Sequence, residues 1–276
     1  MQIAPTPLSA PTTLLPGGLV WRHRRLLWAF VLSDLRHRYM GSSIGFFWTV
    51  VTPLMELFTY TFVFHGLIGV RFHPAGDWIH YALFLFCAMI TWMSVSEGLT
   101  RGTVAITESA HLVKKVNFPP VLLPAWRVVA ATLNQALRLA VLLVALALVG
   151  PGLSWTALLV PLFMAAQLIG VLGVALLLAT LGAYFRDALH WVNAALMLWM
   201  FVTPVFYPAA IYPRRYVLLL QLNPLAHLVG VYQELLLNQR LPHPVSVLVV
   251  GVVALFCLLV GWSVFSMHQE RFSDQV

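Results

Sequence analysis

The chain reads as an all-α integral membrane protein with six transmembrane helices, an N-terminal amphipathic interface helix and an outer re-entrant gate hairpin between helices 5 and 6. Three observations predict this. Of its 276 residues, 61% are hydrophobic and only 9% are charged, too few charges to dress the surface of a water-soluble core. Its apolar runs approach the roughly 20 residues that a spanning helix needs. Between those runs stand prolines and basic residues. The remaining length leaves no room for a second globular domain. A net charge of +7, from 16 Lys and Arg against 9 Asp and Glu, suits cytoplasmic loops and anionic headgroups better than nucleic acid. Cys87 and Cys257 fall inside apolar runs and read as small core residues, not as a disulfide or metal pair.

Residues 1–18 form a flexible tail, because Pro5, Pro7, Pro11 and Pro16 with Gly17 and Gly18 oppose helix and lack apolar mass. No cleaved signal is expected, since Arg22, Arg24 and Arg25 follow the tail and precede no cleavable apolar region. Residues 19–39 are amphipathic: Arg22, Arg25, Ser33 and Arg36 share one stripe, and Trp21, Trp28, Leu32 and Leu35 lie opposite. Five arginines within residues 22–38 would be expensive in hydrocarbon. The helix therefore belongs in the cytoplasmic headgroup layer, and residues 40–276 form the transmembrane domain.

The first span covers residues 44–68, kinked at Pro53 with Glu56 near its middle. Trp48, Thr52, Glu56 and Thr59 share one face, which points into protein or water. An intramembrane carboxylate either marks a functional site or ties two helices together. The second span, 79–99, ends near Glu97 and Arg101, four apart in the favourable order for pairing. A basic island follows, HLVKKVNFPPVLLP at 111–124. Residues 103–116 predict a cytoplasmic helix with Lys114 and Lys115 in its last turn, stopped by Pro119 and Pro120.

The third span, 121–149, holds Asn134, Gln135 and Arg138 within two turns. Arg138 should face the bundle interior, and depth alone points to Glu56 as its partner. The fourth span, 154–184, carries Ala175, Ala179 and Ala183, a small-residue stripe for close helix packing. Arg186 and Asp187 mark an inner loop before the fifth span, 189–207. Prolines at 208, 213, 224 and 242 then divide an amphipathic stretch. Neither Arg214 to Asn223 nor Leu225 to Asn238 can cross a core of about 30 Å. Two half-helices that dip in and return fit better, and broken backbone at that depth belongs beside a pathway. The sixth span, 244–267, has no charged residue. With both termini inside, ten Lys and Arg fall on the inner side and four outside, with Arg127 and Arg138 in a span, so the island is cytoplasmic.

No two histidines stand three or four residues apart, so a helical His pair for a metal is excluded. GxxxxGK[ST] is also missing, so this chain cannot hydrolyse ATP with a P-loop of its own.

RYMGSSIGFFWTVVTPL at 38–54, HLVKKVNFPPVLLP at 111–124, FRDALHWVNAALMLWMFVTPVFYP at 185–208 and LNPLAHL at 222–228 stand in an order that resembles the membrane subunits of ABC-2-type polysaccharide exporters. These are the O-antigen, teichoic acid and capsule permeases, and the resemblance covers nearly all of the chain beyond the tail. It implies a homodimer in the bacterial cytoplasmic (inner) membrane, bound to two separately encoded ATPase subunits. ATP and Mg would sit on those partners, with no cofactor on this chain. The implied cargo is a lipid-linked polysaccharide whose undecaprenyl-type anchor enters from the membrane. The resemblance makes Glu108, His111, Leu112, Lys114, Lys115 and Asn117 part of a coupling helix that docks on the ATPase. It makes residues 19–39, with Trp21, Arg22, Arg25, Trp28 and Arg36, the interface helix, and residues 208–238 the gate helices. Thr52 departs from the pattern, standing where relatives often have Asn before the Pro.

Aromatic rings stack on the C–H faces of sugars, so Trp48, Phe58, Tyr60, Trp191, Trp199 and Tyr207 are candidates to line a glycan path with Thr52, Glu56 and Thr59. Against this, aromatics are also common in membrane cores and interface belts. Two other readings stand beside the exporter. A drug or lipid ABC-2 permease shares the six-span plan but lacks FPPVLLP and LNPLAHL together. An intramembrane lipid- or glycan-modifying enzyme needs a convergent acidic or His cluster, whereas Glu56, Glu97 and Asp187 are scattered in sequence.

Overall fold

The computed structural model describes residues 16–39, 47–67, 69, 78–114, 118–209 and 212–275, and these are helices and short connections. Most of the expected tail lies outside the described residues. Its last three positions, however, are helical: Pro16 opens α1 (Pro16–Arg22), where a missing N–H costs nothing and the fixed φ suits a first turn. The chain breaks at His23 and resumes as α2 (Arg24–Tyr39). The expected helix over 19–39 is thus two helices, and the start of the first span at 44–46 falls outside the described residues.

Among the described residues, four segments are long and apolar enough to cross a membrane: α4 (Trp78–Thr103), α6 (Leu122–Val149), α7 (Val160–Tyr184) with the 3₁₀ turn Trp155–Leu159 before it, and α11 (Pro244–His268). Two further apolar helices accompany them. α3 (Trp48–Thr61) contains Pro53 and runs on as a π-helical turn, Phe62–Leu67, and α8 (Ala188–Val202) has 15 residues.

The bundle is built around α4. Of its most apolar window 72% is buried, against 17% for α11, so α4 is surrounded by protein and α11 turns most of its apolar surface outward. α6 and α7 pack on α4, and α11 packs on α7. The α7–α11 approach depends on glycine: a Cβ on Gly261 would fall 2.0 Å from the Gly173 carbonyl oxygen, and one on Gly173 would fall 2.2 Å from the Cys257 carbonyl carbon. Ala175, Ala179 and Ala183 are buried, and Ala175 meets Gly102 of α4.

At one end of the bundle, the region between α8 and α11 folds into a 3₁₀ turn (Arg214–Tyr216), α9 (Val217–Leu222) and α10 (Pro224–Leu236). Asn223 caps α10 by accepting from the Leu225 N–H at 3.0 Å. α10 packs inward on α4 and α11, whereas Leu218, Leu219 and Leu222 of α9 are exposed. The same end is tied by Thr156 Oγ1 donating to Leu235 O at 2.6 Å, Gln239 Nε2 to Gly152 O at 3.0 Å, and Tyr81 Oη to Phe206 O at 2.9 Å. At the opposite end, where α4 gives way to α6, Asp34, Arg101, Glu108 and Arg127 gather.

Candidate functional site

The single helix expected over residues 103–116 does not form. α4 stops at Thr103, the chain turns through 104–106, and a 3₁₀ turn (Thr107–Ser109) leads into the four-residue α5 (Ala110–Val113). Burial explains the break: Ala105 and Ile106 are fully buried, packed with Val113 against Phe265 and Phe272. A straight helix would carry those side chains out past the bundle end. α12 (Phe272–Gln275) brings Phe272 back to this corner, where it lies edge-on to Phe265 at 5.1 Å.

Of the residues assigned to ATPase coupling, His111 and Lys114 are exposed, Leu112 is half-buried, and Lys115 and Asn117 lie outside the described residues. Glu108 does more than face outward. Its Oε2 accepts from Arg127 Nη1 at 2.8 Å, an ion pair whose side chains are 5% exposed on the Arg127 side and 63% on the Glu108 side. Arg127 also donates to the Arg101 carbonyl at 2.9 Å and approaches Ser109 Oγ at 3.5 Å. Arg127 was assigned no role from sequence. The available signal was a lone arginine near the start of a span, following a segment that contains one acidic residue.

Arg101 continues the network. It pairs with Asp34 of α2, with Nη1 donating to Oδ2 at 2.9 Å, and lies 3.5 Å from Glu97 one turn earlier. Both arginines lie over the Trp126 indole, their guanidinium carbons 5.4 Å (Arg101) and 5.1 Å (Arg127) from its ring centroid. α2 reaches this corner through Leu27 and Val31, buried with Leu122, Ala125 and Ala130 of α6. Its arginines Arg22, Arg25 and Arg36 are exposed. So are Trp21 and Trp28, which share an outward surface although the sequence pattern set them opposite the arginines. The packed stripe of α2 is that of Leu27 and Val31.

Deeper in the bundle, Glu97 gathers α6. Asn134 Nδ2 donates to Glu97 Oε1 at 3.2 Å, and Arg138 Nη2 lies 4.0 Å from Glu97 Oε2. The contact ion pair of Arg138 is with Glu97, where the sequence pointed to Glu56; Glu56 still lies near enough to interact electrostatically with Arg138. Depth could not separate two carboxylates at similar levels, whereas helix packing does, because α6 lies closely along α4 and touches α3 less. Glu56 Oε2 is buried with no hydrogen-bond partner. Gln135 points elsewhere. Gln135 and Gln167 exchange amide hydrogen bonds at 3.0 and 2.8 Å, and Tyr232 Oη donates to Gln167 Oε1 at 2.9 Å, joining α6, α7 and α10.

The proposed glycan-path residues divide. Trp48, Thr52 and Thr59 are exposed along one face of α3, with Glu56 half-buried between them, and Trp191 of α8 is 77% exposed. Tyr60 is half-buried beside Phe206, at 5.2 Å. Trp199 is turned inward, its Nε1 donating to Asn223 Oδ1 at 3.0 Å, and Tyr207 Oη donates to the Phe201 carbonyl at 2.6 Å. Those two rings fasten the connection after α8.

Residues 25–237 match the family model described as ABC-2 type transporter. The chain is 30% identical over 259 residues to the O-antigen export system permease protein RfbA of Myxococcus xanthus, covering 93% of this chain and 97% of that protein. It is 27% identical over 251 residues to a protein of the same description from Klebsiella pneumoniae, covering 90% and 94%. Against the polysialic acid transport protein KpsM of Escherichia coli it is 23% identical over 248 residues, covering 88% and 93%.

Proposed function

Since the chain belongs to the ABC-2 type transporter family, we propose that it is the permease subunit of an ATP-driven exporter that moves a lipid-linked polysaccharide, of O-antigen or capsule type, across the bacterial inner membrane. The observation that carries this reading is similarity along nearly the whole of both chains to O-antigen export permeases. ATP hydrolysis belongs to a separate P-loop subunit, and the permease works as a homodimer with both termini in the cytoplasm.

In this reading α3 with its π-helical continuation and α8 complete six spans with the four long helices. α1 and α2 form the interface helix pair, residues 1–15 precede it as a tail, and the segment from the 3₁₀ turn at Arg214 through α10 is the outer gate hairpin. The end carrying Arg101, Glu108 and Arg127 is cytoplasmic. There the turn from Thr107 to Lys114 is the docking site for the ATPase, which its exposed His111 and Lys114 support. Trp48, Thr52, Glu56 and Thr59 of α3, with Trp191 of α8, line the path of the glycan. Trp199 and Tyr207 position the gate hairpin.

Reconstitution tests this reading. Permease and its ATPase in proteoliposomes should translocate glycan only with ATP, and Lys114→Glu with Lys115→Glu should abolish translocation while leaving the permease folded. Unchanged export by that double variant removes the docking role of the two lysines. Glycan turnover by the permease alone would overturn the transport assignment.

A further inference from the structure

One run of side chains joins the docking turn to α2. Glu108 of the turn pairs with the buried Arg127, and Arg127 donates to the Arg101 carbonyl. Arg101 in turn pairs with Asp34 of α2. Trp126 packs these parts together: both guanidinium groups lie within cation–π range of its ring. Phe30 of α2 stacks on the same indole at 6.2 Å and 22°, and meets Phe118 edge-on at 6.2 Å. One ring thus collects α2, the inner ends of α4 and α6, and the segment entering α6.

We infer that Trp126, Arg127, Arg101 and Asp34 are positioning residues that couple the 107–114 turn to α2, so that a partner docked on the turn also sets the position of the N-terminal helix pair. This rests on the reading of the turn as the ATPase docking site. The physical argument is that neither end can shift alone. Moving Glu108 away leaves the charge of Arg127, a residue only 4% exposed, without its counter-ion, and a buried charge without its partner is costly. Moving α2 away from the junction separates Asp34 from Arg101 and Phe30 from Trp126. Arginine suits both links because its planar fork can serve two acceptors and stack on a ring at once, which lysine cannot do.

Hydrogen exchange on the full permease–ATPase complex in nanodiscs tests the coupling. The measurement is the ratio of amide exchange without and with the ATPase and ATP, so a variant that loosens α2 equally in both states keeps the wild-type ratio. In the wild-type permease, ATPase addition should slow exchange in residues 107–114 and also in residues 24–39, the latter by at least about fivefold, the low end of ordinary coupling between sites. In Trp126→Leu and in Asp34→Ala the slowing at 107–114 should persist while that at 24–39 falls to less than half. Asp34 is partly exposed, so its variant keeps the test open if Trp126→Leu does not fold. Equal slowing of α2 in wild type and variants, as direct contact of the ATPase with α2 would give, overturns the inference. Wild-type α2 unaffected by docking also overturns it. Failure of the ATPase to slow 107–114 in the wild type instead removes the docking reading itself.

Discussion

Arg127 Nη1 stands 2.8 Å from Glu108 Oε2, joining an arginine buried at the start of α6 to an exposed carboxylate in the turn that follows α4. The asymmetry in burial decides which partner matters more to the fold. Removing the carboxylate leaves a guanidinium inside the protein with neutral acceptors only, whereas the carboxylate itself can always find water.

Glu108→Gln is therefore expected to destabilise the permease by about 1.5 kcal/mol, the lower end for a hydrogen bond to a charged group. This corresponds to a drop of roughly 3–6 °C in melting temperature for a chain of this size. Lys114→Gln, at an exposed position on the same turn, should stay within about 0.5 kcal/mol. Thermal unfolding in detergent compares the two, and equal melting temperatures would show that the ion pair does not brace the turn.

Gly261→Ala should be poorly tolerated. Its Cβ would meet the Gly173 carbonyl oxygen at 2.0 Å, a backbone atom that cannot rotate away, so α7 and α11 must separate along their contact. Overpacking of this kind costs about 1–3 kcal/mol or more. Gly251→Ala on the same helix meets nothing within 4 Å and should leave stability unchanged or raise it by up to about 1 kcal/mol. The yield of monodisperse protein and its melting temperature report both. A normal Gly261→Ala variant would mean that the two helices are not this close.

The amide knot of Gln135, Gln167 and Tyr232 predicts a particular non-additivity. Gln135→Leu leaves the Gln167 Nε2 N–H without its acceptor, at a cost of about 1–3 kcal/mol. Adding Gln167→Leu removes the stranded group, so the double variant should be less destabilised than the two singles summed, by at least about 0.5 kcal/mol. Tyr232→Phe alone should cost about 0.6 kcal/mol, a common value for a hydrogen bond between membrane helices. A double-mutant cycle on unfolding in detergent measures these terms, and strict additivity would argue against the knot.

Acid should weaken the α10 end. Hydrogen bonding from Arg240 holds the Glu234 carboxyl below the usual carboxylate range, with Nη2 donating to Oε1 at 2.8 Å. A carboxyl whose folded pKa is depressed contributes stability that is present above its unfolded pKa of about 4.3 and is lost as pH falls through the lower folded value. Arg240→Gln should therefore melt earlier than wild type at pH 7, and the difference should shrink progressively below about pH 4. A difference that stays constant into acid would detach this pair from the stability of the hairpin end.

Much of this molecule was legible in one dimension. Apolar length placed α4, α6, α7 and α11 within a few residues, since a helix in hydrocarbon must satisfy every backbone group internally and so declares itself by composition. The proline spacing marked the breaks at Asn223–Pro224 and before Pro244 for an equally local reason: proline supplies no N–H and fits only a first turn. The island near Lys114 was recognisable by charge, but its shape was not. Whether residues 103–116 continue as a helix depends on where Ala105 and Ile106 find a cavity, and that cavity is made by Phe265 and Phe272, some 160 residues later.

The same division runs through the charged groups. Composition alone determined that this is a polytopic membrane protein, because hydrophobic transfer and the cost of buried charge depend on residue type and run length. The identity of each charge's partner was decided only by packing. Glu56 and Glu97 look equivalent in sequence as partners for Arg138, and Arg127 looks incidental. The close antiparallel seam of α4 with α6 selects Glu97, and the turn between them brings Glu108 to Arg127. A hydrogen-bonded ion pair needs its N and O within about 4 Å, so the pairs follow from which helices touch. That is a property of the folded bundle and of no single stretch of the chain.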